Sequence, residues 1–188
     1  ERTNYLFSRH PINILFGYLT MFIYGMCIQS FRSSPKRHWD SLMAVILHIG
    51  ASIFLVFYFG WLTWLLTLAI PFFTSLMFGA YLFYAQHNFP GVTFKNNVEW
   101  SYVHASLQSS SFMKLNPFWR WMTANIGYHH IHHMNSRIPF YRLPEAMEGL
   151  PALQNPIVTT FNFRDVRACL KLKVWDAEKN KMVGFSEL

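Results

Sequence analysis

Between Ser41 and Phe94 the chain carries no Asp, Glu, Lys or Arg. A helix crossing a bilayer needs about 20 apolar residues, so a run this long holds two spans and the turn between them. A core helix of a soluble protein would show polar positions at every turn, and this stretch shows almost none. Phe59-Gly60-Trp61 reads as the turn, with Trp61 and Trp64 at an outer interface. The expectation is an antiparallel transmembrane hairpin of 42–59 and 62–85, the second helix kinked at Pro71. Charged residues make up 13% of the chain, against about 25% in soluble domains, and the apolar run accounts for the deficit.

The net charge is +7. Nucleic acid is the reflex partner of a basic chain, but here the basic residues bracket apolar runs, which is the positive-inside pattern. Arg32, Lys36 and Arg37 precede the hairpin and Lys95 follows it. Both of its ends, and everything after residue 86, are therefore expected on the cytoplasmic side. A second uncharged stretch, 12–31, has basic residues at both ends, Arg2 and Arg9 before it and Arg32 after it. That favours an interfacial or re-entrant helix, with Gly17 and Gly25 as small packing residues. His48 falls in mid-span, where a neutral imidazole bonded to a neighbouring helix is expected. The two cysteines, Cys27 and Cys169, give no disulfide framework. The first residue is Glu1, without a leader ahead of it, which reads as a piece of a longer protein.

Downstream, Asn96 and Glu99 fit a capping box for a helix from 97 to about 109, broken by Ser109-Ser110-Ser111. Phe118, Trp119, Trp121 and Met122 form an aromatic belt suited to lipid headgroups. Asn125 or Gly127 begins the next helix and Pro139 limits it. Arg164, Arg167, Lys171 and Lys173 read as a solvated basic face. The fold expected is all-α and a single domain over 1–188. It comprises a membrane hairpin, interfacial helices and a cytoplasmic helical cap over 96–188.

That cap carries the chemistry. Residues 129–133 are His-His-Ile-His-His. Read as His-x-x-His-His, His129, His132 and His133 are three and four residues apart and share a helix face. Imidazole suits zinc, copper, iron and nickel. A purification tag would be terminal, and this tract is internal. A structural zinc site would bring cysteines or four ligands at finger spacing, and neither cysteine lies near a histidine pair. His87 follows the last span and is weak evidence by itself.

Thr123-Ala124-Asn125-Ile126-Gly127-Tyr128-His129-His130-Ile131-His132-His133 resembles the third histidine box of the membrane fatty acid desaturases. Phe83-Tyr84-Ala85-Gln86-His87-Asn88-Phe89 looks like their Gln-His segment after the last span. Ser110–Leu115, Ser136-Arg137-Ile138-Pro139-Phe140-Tyr141-Arg142-Leu143 and the tail around Val174-Trp175-Asp176 and Val183-Gly184-Phe185 extend the likeness, which is greatest for bacterial acyl-lipid desaturases of the omega-6 type. The resemblance implies oxygen-dependent desaturation of a lipid-bound acyl chain at a di-iron centre. His87, His129, His132 and His133 would be metal ligands, and His130 and Asn125 would support them. His104 has no counterpart in the ligand set. It also implies O2, a ferredoxin-like or cytochrome b5-like electron donor, membrane lipid around the chain and a bacterial inner-membrane location, with no nucleic acid partner. The first and second histidine boxes of the family are absent. Four histidines fall short of the eight or more that two irons require, so the chain looks like the C-terminal portion of a desaturase, inactive by itself.

Two other readings compete. A related di-iron membrane hydroxylase or ketolase shares the histidine-box logic, though the Asn-Ile-Gly-Tyr and Ser-Arg-Ile-Pro strings favour the desaturase. A His-rich membrane metal-binding or transport protein would place ionisable ligands within its spans, where only His48 lies. The class fused to cytochrome b5 usually has Gln where His129 stands, and no His-Pro-Gly-Gly string occurs here.

Overall fold

The computed structural model describes residues 9–96 and 98–187. The expected basic flank Arg2 and the expected helix start at residue 97 lie outside the described residues. The chain is mostly helical and divides into two compact units, Glu1–Phe83 and Tyr84–Leu188. The boundary falls within the last turn of the second apolar helix, Trp61–Ala85, where no change of composition marks it.

The first unit opens with α1 (Pro11–Leu15), capped by the His10 side chain and started by a proline, whose missing N–H is unneeded in a first turn. A wide π-helical stretch follows over Tyr18–Gln29, ending in the α-turn Ser30–Ser33. Where the ladder widens, the Thr20 hydroxyl donates to the carbonyls of Asn13 (2.9 Å) and Phe16 (3.1 Å).

Helix α2 (Trp39–Phe59) and helix α3 (Trp61–Ala85) are both long and apolar enough to cross a membrane. At 1.5 Å per residue, α2 is about 31 Å long, matching a hydrocarbon core of about 30 Å. Its outward side chains are apolar, with Leu47, Ile53 and Phe57 more than 60% exposed. Gly60 separates the helices at φ +84°, ψ 161°, a conformation essentially reserved for glycine. Inside α3 the turns over Leu65–Ala69 widen to π just before Pro71. Proline supplies no N–H to the ladder, and such a local widening is one way to absorb the defect. His48 pairs through Nε2 with the Tyr18 hydroxyl, and its ring lies 5.0 Å from that of Phe72.

The second unit is built from short elements: α4 (Tyr102–Gln108), β1 (Phe112–Lys114), α5 (Pro117–Met122), α6 (His129–Met134), α7 (Leu143–Gly149), β2 (Val158–Thr160), α8 (Phe163–Lys171), β3 (Val174–Asp176) and β4 (Lys181–Val183). Strands β1 and β2 pair in parallel, Met113 opposite Thr159. Strands β3 and β4 form an antiparallel hairpin. The all-α expectation needs that correction: three-residue strands are too short to show a period of two. Tyr128, Ile131, Leu143 and Leu153 form the core, with Phe112, Met134 and Ile138 against it.

Two local expectations also change. Asn96 does not start a helix. Its side chain accepts from the backbone of Val98 and Glu99 in a turn, and Ser101 is the N-cap of α4. Arg164, Arg167 and Lys171 are exposed on α8, but Lys173 is buried at 4% exposure. It lies past the helix end in extended chain, so the helical period no longer governs it. Its ammonium donates to the Tyr84 hydroxyl and sits over the Tyr84 ring.

Candidate metal centre

The histidine helix is aimed by the turn before it. Helix α5 ends with the Ala124 N–H donating to Trp121 O (3.2 Å) and the Asn125 N–H to Arg120 O (2.8 Å). This is a Schellman ending, with Ala124 at φ +49° where glycine is usual and Asn125 at φ +55°. Asn125 fixes the reversal through its side chain, which accepts from Arg120 Nε (3.4 Å) and donates to Phe140 O (3.1 Å). It thus supports the approach to the box through Arg120 and Phe140 rather than through a histidine ring. One 3-10 turn, Ile126–Tyr128, leads into α6. Gly127 is required there because a Cβ would sit 2.4 Å from the Met113 carbonyl oxygen of β1. The sheet pair therefore presses directly on the turn that delivers His129.

His87 comes from a second segment, two residues beyond the end of α3. Its neighbours Gln86 and Asn88 are fully buried. Gln86 Nε2 donates to Ile126 O (2.7 Å), tying the two ligand-bearing segments together. Asn88 Nδ2 donates to Cys169 O (3.0 Å) and Leu172 O (2.6 Å), anchoring the segment to the tail.

Three ring nitrogens converge. His129 Nε2 lies 2.9 Å from His87 Nε2, His133 Nε2 lies 3.2 Å from His87 Nε2, and His133 and His129 are 3.1 Å apart. With a metal–nitrogen bond of about 2.1 Å, ligands at 90° are about 3.0 Å apart and tetrahedral ligands about 3.4 Å apart. The observed triangle fits three ligands on one face of an ion. No carboxylate or thiolate belongs to this group among the described residues.

His132 stands apart from the triangle. Its ring stacks on that of His129 with centroids 5.8 Å apart and 19° between planes, and it is 6.0 Å from the His133 ring. The expected four-way convergence is therefore three-way in this chain. On an α-helix His133 lies about 40° to one side of His129 and His132 about 60° to the other. His87 approaches from the His133 side. His130 points elsewhere: it is fully buried, with Nε2 donating to Leu153 O (3.3 Å) and its ring 5.9 Å from Phe112. It braces the core rather than a ligand. His104 pairs with the Thr93 hydroxyl (3.2 Å).

Protonation fits a metal. His87 Nδ1 is 3.1 Å from the Ser109 carbonyl oxygen, which can only accept, so Nδ1 carries the proton and Nε2 is bare. Burial holds His129 down to about 2, with repulsion from His87 and His133 adding to it. His133 is exposed overall, yet the face turned to the cluster is dehydrated, and that, followed by repulsion from His87 and His132, holds it down to about 4. His129 and His133 are therefore neutral near pH 7. Without protons, three ring nitrogens this close would repel, and protons between them can relieve only part of the conflict. A cation at their common focus would relieve all of it. Buried His129 Nδ1 and Gln86 Oε1 have no partner among the described residues.

Sequence reading missed the roles of Ser109, Gln86 and Asn88. A carbonyl leaves no trace in sequence. Two amides flanking a histidine at the end of an apolar helix are a signal, and Gln86-His87 was visible as one.

The fatty acid desaturase family model matches residues 4–163, which include the whole cluster. A fatty acid desaturase of Bacillus subtilis (strain 168) is 39% identical over 127 residues, covering 68% of this chain and 36% of that protein. The chain thus spans about a third of the length of the curated relative that it matches. With the family model covering most of the sequence, the chain belongs to the fatty acid desaturase family.

Proposed function

We propose that this chain supplies one wall of an iron centre in a membrane-bound, O2-dependent desaturase of lipid-bound fatty acyl chains, completed by further sequence. The triangle of Nε2 atoms from His87, His129 and His133 carries this reading. A second iron would need ligands beyond this triangle, with His132 on its flank as this chain's further contribution. Iron, when bound, supplies the oxidising power toward an unactivated C–H bond that no side chain has. The chain's own residues do the rest. The Ser109 carbonyl holds His87 in the tautomer that offers Nε2. Neutral His129 and His133 bind without proton competition near pH 7. Gln86 keeps the two ligand segments in register.

Helices α2 and α3 would form a transmembrane hairpin with both ends cytoplasmic, because Arg32, Lys36, Arg37 and Lys95 flank it. His87 would then stand at the cytoplasmic surface of a bacterial inner membrane. An acyl tail could reach it from the bilayer while its headgroup stays in water. Electrons would come from a ferredoxin-like or cytochrome b5-like donor.

The test is the full-length protein containing this chain, expressed in a bacterium fed isotope-labelled saturated fatty acid. Labelled unsaturated product should appear in membrane lipids only with oxygen. It should vanish in His87→Ala, His129→Ala and His133→Ala, while His104→Ala keeps most activity. Full activity without His129 would remove the reading, as would a hydroxylated product in place of an alkene.

A further inference from the structure

His133 is the least supported of the three converging histidines. His129 is buried, and His87 is held through Nδ1, but His133 is exposed and sits in the last turn of a six-residue helix. The final carbonyls of a helix have no partner within it. The Ile131 carbonyl is taken by Asn135 N–H (2.9 Å). Two of the last carbonyls, those of His133 and Met134, both accept from the hydroxyl of Tyr102, which lies 2.6 Å from His133 O and 2.8 Å from Met134 O. Tyr102 is the first residue of α4. It is 50% exposed, so its ring is not a core element. Its hydroxyl nevertheless caps a neighbouring helix at the residue that carries a candidate ligand.

We infer that Tyr102 is a positioning residue for His133: its hydroxyl pins the last turn of α6 so that His133 Nε2 stays about 3 Å from the other two nitrogens. The inference rests on reading the cluster as a metal site. A helix end that frays by one turn moves its side chains by several ångströms, and three ligands act together only when all three are in place. Partners that orient a ligand without touching the metal typically matter 10- to 100-fold in affinity. The hydroxyl caps the backbone here rather than the ring, so the lower end applies, about 10-fold.

The experiment titrates the purified 188-residue chain in detergent micelles with Co2+, read by its visible d–d absorption. Wild type, Tyr102→Phe, His87→Ala, His133→Ala and the Tyr102→Phe, His133→Ala double variant are compared, with Tyr141→Phe as an exposed-tyrosine control. Thermal unfolding of the apo chains is followed in parallel. Tyr102→Phe should bind Co2+ about 10-fold more weakly at unchanged melting temperature, with altered band positions. Tyr141→Phe should match wild type. In the His133→Ala background the Tyr102 change should have no further effect, because the residue it positions is gone. Equal affinity of Tyr102→Phe and wild type overturns the inference while leaving the metal site standing. Equal weakening in both backgrounds also overturns it, since a general structural role acts regardless of His133. Wild-type binding that ignores His87→Ala and His133→Ala overturns the metal reading itself, and this inference with it.

Discussion

At the scale of single residues, protonation is the property that the cluster controls most tightly. His129 is held down to about 2 by burial and then by repulsion from His87, and His133 to about 4. An unfolded histidine titrates near 6.5, so on acidification the unfolded chain takes up these protons first. The resulting stability is complete above about pH 6.5 and declines as the pH falls toward 4. The apo 84–188 unit should therefore melt at a clearly lower temperature at pH 5 than at pH 7.5, and His129→Gln should flatten that dependence. Thermal unfolding across the pH series checks this. A melting temperature that rises on acidification would show that the imidazoles are not buried neutral. The spacing of His129 and His133 was legible in the sequence because helical geometry puts i and i+4 on one face. The exclusion of His132 was not, because it depends on the side from which His87 arrives, and that is set by contacts such as Gln86 to Ile126 and Asn88 to Leu172.

At the scale of elements, the turn before α6 makes opposite demands on two neighbouring small residues. Ala124 holds φ +49°, a region that costs an L-residue about 1–2 kcal/mol. Glycine would remove that cost and return about 0.4–1 kcal/mol through its freer unfolded chain. Ala124→Gly should thus be stabilising by about 0.5 kcal/mol. Gly127→Ala should be destabilising by about 1–3 kcal/mol, because its Cβ meets backbone, Met113 O, at 2.4 Å and not a side chain that can swing away. Urea unfolding of both variants decides it, and equal effects of the two would contradict this account of the turn. Elements whose signal is local were readable: the apolar helices, the Gly60 break, the end of α4 at the serine run. Those fixed by distant partners were not. The β1–β2 pair joins residues far apart in sequence, Lys173 is buried by Tyr84, and Asn96 satisfies its own turn where a helix cap was expected.

At the scale of the whole molecule, the proposal places both ends of the α2–α3 hairpin on one side of the membrane. Single cysteines at Lys36 and Lys95, in a background lacking Cys27 and Cys169, should react with an impermeant thiol reagent from the cytoplasmic side only. Cysteines at Arg9 and Arg32 should likewise share a side if the first helical stretch does not cross. Labelling of Lys36 and Lys95 from opposite sides would require the topology to be redrawn. The claim on which function turns is narrower: that His87, His129 and His133 hold one ion through Nε2. X-ray absorption at the zinc edge of the purified chain, loaded with one equivalent of Zn2+, tests it most directly. The account predicts a nitrogen shell at about 2.0–2.1 Å with the outer-shell scattering of imidazole, lost in the His87→Ala, His129→Ala double variant. A shell of oxygen alone, without imidazole scattering, would contradict it.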